Sequence, residues 1–285
     1  MSLVKRSTPY KFIAPYFAIF TLFWLWPIGY SLYLTVMNTR SFPWHFDLTA
    51  NWGRVLFDPQ FWQALQNTLW IVCLQTPLML VIATLLAVIL ASQKLRLKGF
   101  FRFAFFAPIV VGEVAYSAIF RLLFNTDLGP VNKLFDVIGL EPINWLYEPT
   151  SAMAVIIMAV TWRWTGYNAI ILLAGLQNIP RDQYEAASLD GASKVQQFFH
   201  ITLPQLKPVI LFCLVLSIIG SLQLFSEPAL ITAGGPSGST TMLGNYMYNQ
   251  GFRSFNFGYA SVIAYVVVFL AVITSSLQVK LLGKK

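Results

Sequence analysis

The sequence predicts an all-α membrane protein with six transmembrane helices. Of its 285 residues, 57% are apolar and only 11% are charged, whereas soluble globular proteins carry about 25% charged residues. A helix of about 20 apolar residues crosses a bilayer core about 30 Å thick, and six stretches are long enough. These stretches are residues 12–37, 68–91, 103–124, 151–176, 208–231 and 259–282. They must be helical because backbone groups in lipid have to find hydrogen-bond partners within their own segment.

The six stretches differ in how plainly they indicate a span. The first follows a basic segment, residues 1–11, and it is too long for the apolar region of a signal peptide, so we expect it to be retained. The second and sixth are the clearest, with Lys280 as their only charge. The third and fourth each carry a charge near the middle, Glu113 and Arg163, and the fifth begins at Pro208.

The distribution of basic residues predicts the orientation. The two terminal segments and the connections after the second and fourth spans carry 13 of the 19 Lys and Arg residues. Because such residues concentrate on the cytoplasmic side, both termini are expected to be cytoplasmic. The net charge of +8 forms no basic face, so we expect no nucleic acid partner.

The cytoplasmic connection of residues 177–207 is polar and reads as two short helices. Pro180 suits the first turn of a helix, Gly191 is a typical helix stop, and Ser193 can cap a second helix. From the pattern alone, this segment is either a solvated loop or a docking element.

A run within this connection resembles the EAA loop of binding-protein-dependent ABC importer permeases. The run is Tyr184-Glu185-Ala186-Ala187-Ser188-Leu189-Asp190-Gly191-Ala192, followed by Phe198 and by Ile201-Thr202-Leu203-Pro204. The fuller segment is similar to that of the carbohydrate-uptake family, which includes maltose, glycerol-phosphate and lactose permeases. Other matching positions extend the resemblance from the first span to the sixth.

The resemblance implies a type I ABC importer permease fold in the inner membrane of a prokaryote. Residues 1–60 would form an N-terminal span with an external cap, and residues 61–285 the permease core, with the EAA loop at 177–207. The implied partners are a second, homologous permease in a heterodimer, two cytoplasmic ATPase subunits, an extracytoplasmic sugar-binding protein, the carbohydrate substrate and membrane lipid. The residues implied to couple to the ATPase are Tyr184, Glu185, Ala186, Ala187, Asp190, Gly191, Phe198, Leu203 and Pro204.

The sequence contains no motif that is typical of a catalytic, nucleotide-binding or metal-binding site. It has no P-loop run for ATP, no catalytic triad or paired carboxylates, and its two cysteines lie inside apolar stretches. We therefore expect a transport subunit that is not an enzyme, binds no metal and needs no cofactor, with ATP hydrolysis in partner subunits.

Two charges within the spans need an explanation. Glu113 and Arg163 each cost roughly 2.5–3.5 kcal/mol on insertion scales if they face lipid. They could pair as a structural bridge, line a polar substrate cavity or form an ion relay. Polar groups interleaved with aromatic rings suit a sugar, so the candidate substrate residues are Glu113, Tyr116, Arg163, Trp164, Tyr167, Asn168, Gln223 and Glu227. The alternative function is an ion-coupled secondary transporter that uses Glu113, Arg163 and Glu227.

Overall fold

The computed structural model describes residues 8–282, and this part of the chain is almost entirely helical. Its α-helices are α1 (Thr8–Phe20), α2 (Trp26–Thr35), α3 (Leu48–Phe57), α4 (Pro59–Trp70), α5 (Thr76–Ala91), α6 (Lys98–Val110), α7 (Glu113–Leu123), α8 (Pro130–Val137), α9 (Pro149–Gln177), α10 (Arg181–Leu189), α11 (Lys194–Gln197), α12 (Leu203–Leu222), α13 (Leu243–Tyr248) and α14 (Phe257–Leu282). Short π-helical turns lie at Thr21–Leu25, Ile71–Gln75, Phe198–Thr202, Pro228–Thr232 and Asn249–Arg253. Strands β1 (Met37–Asn38) and β2 (His45–Phe46) pair antiparallel.

Six membrane spans are present if a bent pair of helices is taken as one span. Five continuous helices are long and apolar enough to cross a bilayer: Tyr10–Thr35, Pro59–Ala91, Pro149–Gln177, Lys194–Leu222 and Phe257–Lys280. The predicted third span differs from a straight helix, since α6 and α7 meet at 97°. The chain leaves the helical conformation at Val111 and Gly112, whose ψ angles are 128° and 144°.

The fifth span also differs from its prediction. It starts inside the cytoplasmic connection, where Ser193 and Gln196 form a capping box, and it runs as one helix, Lys194–Leu222, rather than beginning at Pro208. The π-helical turn Phe198–Thr202 precedes Pro204, which cannot donate a backbone hydrogen bond. A locally widened turn lets the helix pass this proline without ending.

The chain forms two compact units. The first comprises residues 8–58 with Met247–Val266. Inside it, the Asn51 side chain donates to the backbone carbonyls of Thr35 and Met37, and Tyr259 donates to Asp58 at 2.8 Å. These bonds satisfy the polar groups at the end of α2 and along α3. The predicted division of the chain at residue 60 stays a prediction, as does the cytoplasmic location of the termini, whose residues 1–7 and 283–285 lie outside the described part.

The second unit comprises Pro59–Tyr246 and residues 267–282, and α9 is its central helix. Gly166 of α9 lets α6 approach closely, because a Cβ atom there would lie 1.7 Å from the Phe105 carbonyl oxygen. On α5, Ala83 and Ala87 are fully buried in one cluster with Ala169 and Leu172 of α9. Small residues at such contacts are how membrane helices pack tightly. The packing fixes the backbone of α9, which carries Arg163 and Asn168.

Candidate functional site

An ion pair lies at the bend between α6 and α7. Glu113 is the first residue of α7, and its Oε1 atom is 3.6 Å from Nη2 of Arg163 in the middle of α9. Its Oε2 atom accepts a hydrogen bond of 2.5 Å from the Ser226 hydroxyl. The two partners differ in exposure, since the side chain of Glu113 is 51% exposed and that of Arg163 only 9%. The pair therefore presents a carboxylate to its surroundings and hides the guanidinium.

The Tyr116 ring lies over the guanidinium, and the Tyr116 hydroxyl is bonded to Glu227. Tyr116 is fully buried and its hydroxyl donates to Oε1 of Glu227, which is 4% exposed. The Arg163 guanidinium carbon lies 4.6 Å from the centre of the Tyr116 ring, a favourable cation–π distance. We call these residues and Ser226 the midplane cluster: Glu113, Tyr116, Arg163, Ser226 and Glu227. A buried charge needs such partners, because leaving it uncompensated is strongly destabilising.

A separate pocket lies between α9, α12 and the π-helical turn at Gln75. We call it the aromatic pocket, and its lining residues are Gln75, Met79, Val160, Trp164, Tyr167, Asn168, Leu216, Ser217, Gly220 and Ser221. The rings of Trp164 and Tyr167 meet edge to face at 5.8 Å. Polar groups set between aromatic rings are the usual lining of a sugar site, since ring faces pack on C–H groups and polar groups bind hydroxyls.

Gln75 is the most unusual group in the aromatic pocket. Its side chain is 1% exposed, and its Oε1 atom lies within hydrogen-bond range of the hydroxyls of Thr76 and Ser221, at 3.4 and 3.5 Å. Its Nε2 atom has no hydrogen-bond partner among the described residues. A buried amide with unused donors costs free energy, so a polar partner that reached this N–H group would recover part of that cost.

The connection between α9 and α12 folds into the compact two-helix element that the sequence predicts. Gly191 turns the chain between α10 and α11 with a φ of +79°, a conformation that favours glycine. Two contacts hold the helices together: the Gln197 amide donates to the Ser188 hydroxyl at 2.8 Å, and the hydroxyls of Tyr184 and Thr202 are 2.8 Å apart. We call residues 181–202 the coupling element.

The outer surface of the coupling element is apolar as well as polar. Leu189 is 90% exposed, Val195 65% and Phe199 57%, and Glu185 stands exposed beside them. Large apolar side chains left exposed on a water-facing segment are typical of a site for a protein partner. Of the docking element and the solvated loop, the geometry favours the docking element.

Comparison with known proteins decides the family. The profile of the family described as "Binding-protein-dependent transport system inner membrane component" matches residues 68–284. The chain belongs to this family. The resemblance based on the EAA loop is thereby confirmed, together with the multi-pass location in a prokaryotic inner membrane, and the ion-coupled alternative is not favoured.

Two of the relatives of this permease are named as sugar transport proteins. The lactose transport system permease protein LacF of Rhizobium radiobacter is 46% identical over 272 residues, covering 94% of this chain and 91% of the relative. The arabinooligosaccharides transport system permease protein AraP of Halalkalibacterium halodurans is 32% identical, covering 98% and 89%. A crystal structure of a bacterial alginate ABC transporter in complex with alginate pentasaccharide-bound periplasmic protein aligns with a TM-score of 0.80 at 22% identity, covering 94% of this chain and 91% of its own. That similarity confirms the permease fold.

The structure divides the predicted substrate residues of the permease between two places. Glu113, Tyr116, Arg163 and Glu227 lie in the midplane cluster, whereas Trp164, Tyr167 and Asn168 line the aromatic pocket. Gln223 belongs to neither: it is exposed at the end of α12. Gln223 and Glu227 do not share one helix face, because α12 ends at Leu222, before Pro228 opens the next turn.

Sequence reasoning missed four polar residues at these two places. They are Gln75, Ser217, Ser221 and Ser226. One signal was available for Gln75, since an amide inside an apolar span is as unexpected as the charges that were noticed. Nothing in the sequence distinguished the serines, because serine is common in membrane helices at packing contacts.

Proposed function

We propose that this permease carries a carbohydrate through its aromatic pocket. Transport is driven by ATPase subunits that bind the coupling element. One observation carries the proposal: the helix Lys194–Leu222 is continuous. It begins within the coupling element and ends with Ser217, Gly220 and Ser221 in the pocket lining. A displacement of the coupling element is therefore transmitted to the pocket by this one helix. In this way a small shift at one site produces a movement at another.

We propose a neutral di- or oligosaccharide as the substrate. LacF and AraP are named for lactose and arabinooligosaccharides. The aromatic pocket offers two rings, two serines and two amides, Gln75 and Asn168, and neither a cation nor an anion. These groups match the hydroxyls and C–H faces of a neutral sugar.

The proposed assembly contains a second, homologous permease, two cytoplasmic ATPase subunits and an extracytoplasmic sugar-binding protein. Support for the last comes from the related alginate transporter, which was crystallised with its periplasmic protein. The segment 234–241 is a candidate docking loop for it. Asn67 donates to the carbonyls of Gly238 and Thr241 at 2.9 and 3.0 Å, so this loop is held in one shape. In this assembly ATP hydrolysis belongs to the ATPase subunits, and the permease itself is not catalytic.

Uptake into proteoliposomes tests the proposal. The complete transporter is reconstituted and supplied with radiolabelled lactose, with arabinooligosaccharides as a second probe. We expect uptake that requires both ATP and the binding protein and that is unchanged by an uncoupler. Uptake that collapses with the uncoupler and proceeds without ATP would contradict the proposal and favour an ion-coupled carrier.

A further inference from the structure

The short helix α3, which follows the first span, leaves one apolar face exposed. Asn51 and Val55 are buried on it, whereas Leu48, Trp52 and Leu56 are 55%, 40% and 64% exposed. Residues four apart are neighbours on a helix surface, so these three side chains form a stripe along α3. We call Leu48, Trp52 and Leu56 the α3 stripe.

The α3 stripe carries no charge. The one charged residue within α3 is Arg54, and its guanidinium is engaged elsewhere, 3.5 Å from Asp58 and 4.0 Å from the centre of the Tyr259 ring. The row of positions beyond the stripe holds Thr49 and Gly53, which present no large apolar side chain. The exposed side of α3 is therefore amphipathic, with an apolar stripe and a small-residue edge beside it.

Hydrogen bonds fix the depth of α3 relative to the first span. The Asn51 amide donates to the Thr35 carbonyl at 3.1 Å, and the backbone N–H of Asp47 donates to the Val36 carbonyl at 2.9 Å. The first span, Tyr10–Thr35, has 26 residues. A helix of this length is about 39 Å long, which exceeds an apolar bilayer core of about 30 Å. Centred in the bilayer, the span places its last residue, and α3 with it, at the level of the lipid headgroups.

The β-hairpin before α3 adds aromatic side chains of the same kind. Phe42, Trp44 and Phe46 are all exposed, and they lie in the chain between the end of the first span and α3. Tryptophan is enriched at the membrane–water interface, and helices that lie in this interface bury Trp, Phe and Leu side chains in it. Exposed aromatic rings also suit a protein partner, but the depth set by the bonds of Asn51 and Asp47 favours lipid.

We propose that the α3 stripe binds the boundary between headgroups and acyl chains in the phospholipid leaflet where the first span ends, which is the outer leaflet in the predicted orientation. The helix lies in the plane of the membrane surface, with the stripe about 5–10 Å into the lipid and Gly53 toward water. This contact anchors the end of the first span. It needs no anionic lipid, because the stripe carries no cation, and it is independent of the transported substrate.

Collision rates of spin labels distinguish lipid, water and protein as the surroundings of the stripe. The native cysteines of the transporter, including Cys73 and Cys213, are replaced by alanine, and a single cysteine then replaces each residue of the stripe in turn. Gly53→Cys is the matched control on the same helix, where an added Cβ atom meets only the Thr49 Cβ atom at 4.0 Å. Each labelled transporter is reconstituted in phosphatidylcholine vesicles.

Electron paramagnetic resonance then gives the collision rates of each label with oxygen, which concentrates in lipid, and with nickel ethylenediaminediacetate, which stays in water. We expect a ratio of oxygen to nickel rates above one at the three stripe positions and below one at Gly53→Cys. Such a reversal within one helix is the signature of a helix that lies in the interface. Size-exclusion chromatography shows that each labelled complex is assembled as the wild type is.

Three results would overturn the proposal. A nickel preference at the stripe positions would place the stripe in water. Low collision rates with both reagents would show that a protein covers it, either the second permease or the binding protein. An oxygen preference at Gly53→Cys as well would place the whole of α3 inside the bilayer and not at its surface.

Discussion

The coupling element and the midplane cluster both depend on polar side chains, but they use them in opposite ways. In the coupling element the hydrogen bonds are internal and hold its shape, as between Gln197 and Ser188, while Glu185 and Leu189 are left exposed. In the midplane cluster Tyr116, Arg163 and Glu227 are buried, and the polar groups are bound to one another. The difference indicates that the first region is built to meet another protein, and that the second is built to satisfy charges inside the membrane.

The largest expected effect comes from the turn of the coupling element. Gly191→Asp should abolish uptake while the permease still inserts, because it places a charged side chain at the turn and forces an L-residue into a positive φ, at about 1 kcal/mol. Uptake and membrane content are measured together. Gly139→Asp is the matched control, since Gly139 also has a positive φ with open space around it but lies in the external connection. Wild-type uptake by Gly191→Asp would contradict the interpretation that the coupling element is built to meet another protein.

The midplane cluster should respond in stability. Arg163→Met leaves Glu113 without its cation. Removing one partner of a fully buried pair costs about 3–5 kcal/mol, and the cost here is smaller because Glu113 is half exposed. We expect a lower melting temperature of the purified permease complex, partly recovered when Glu113→Gln is added. Arg121→Met, at an exposed arginine of α7, should leave the melting temperature unchanged. An Arg163→Met protein as stable as the wild type would show that the cluster is not a structural bridge.

Gln75 allows transport to be separated from stability. Gln75→Leu removes an N–H group that has no partner among the described residues. The Thr76 and Ser221 hydroxyls lose a long bond to its oxygen but lie 3.1 Å apart and can bond each other, so the free energy of unfolding should change little. If the Gln75 N–H group binds the sugar, the apparent affinity for uptake should drop about fivefold, the value of one hydrogen bond. The control is Thr84→Val on the adjoining helix, whose hydroxyl already bonds the Leu80 carbonyl. Unchanged uptake kinetics for Gln75→Leu would place the sugar elsewhere.

The smallest expected effect concerns Asp47, the N-cap residue of α3. This carboxylate lies outside the predicted spans, whereas Glu113 lies within one. The Thr49 hydroxyl and the backbone N–H groups of Ala50 and Thr49 donate to Asp47 and lower its pKa. A lowered pKa means that Asp47 stabilises the start of α3 above its ordinary pKa of about 3.9, and that this stabilisation is lost as the pH falls through the folded-state value.

Hydrogen exchange of the Thr49 and Ala50 amides measures this loss. Their protection should decline in acid in the wild type. In Asp47→Asn it should be independent of pH, because the amide oxygen still accepts and does not titrate. Equal acid sensitivity in the two proteins would show that Asp47 is not the titrating cap.

The regions also differ in what the sequence could predict. The spans and the coupling element were predictable because apolar length, Gly191 and Ser193 act locally. The bend between α6 and α7 was not predictable. In sequence it looks like a helix that continues past a proline, and only the φ and ψ angles at Val111 and Gly112 show that the helix is broken there. The pairing of Tyr116 with Glu227, 111 positions apart, depends on tertiary packing that a single sequence does not encode in any short pattern.

Cross-linking tests the central claim most directly, namely that an ATPase holds the coupling element. Leu189→Cys puts a thiol at a side chain that is 90% exposed, and the assembled transporter is treated with a short thiol cross-linker in inner-membrane vesicles. The account predicts a covalent product with the ATPase subunit whose yield changes when ATP is added. Labelling of this thiol only from the extracytoplasmic side, or no product with the ATPase while the transporter remains active, would contradict it.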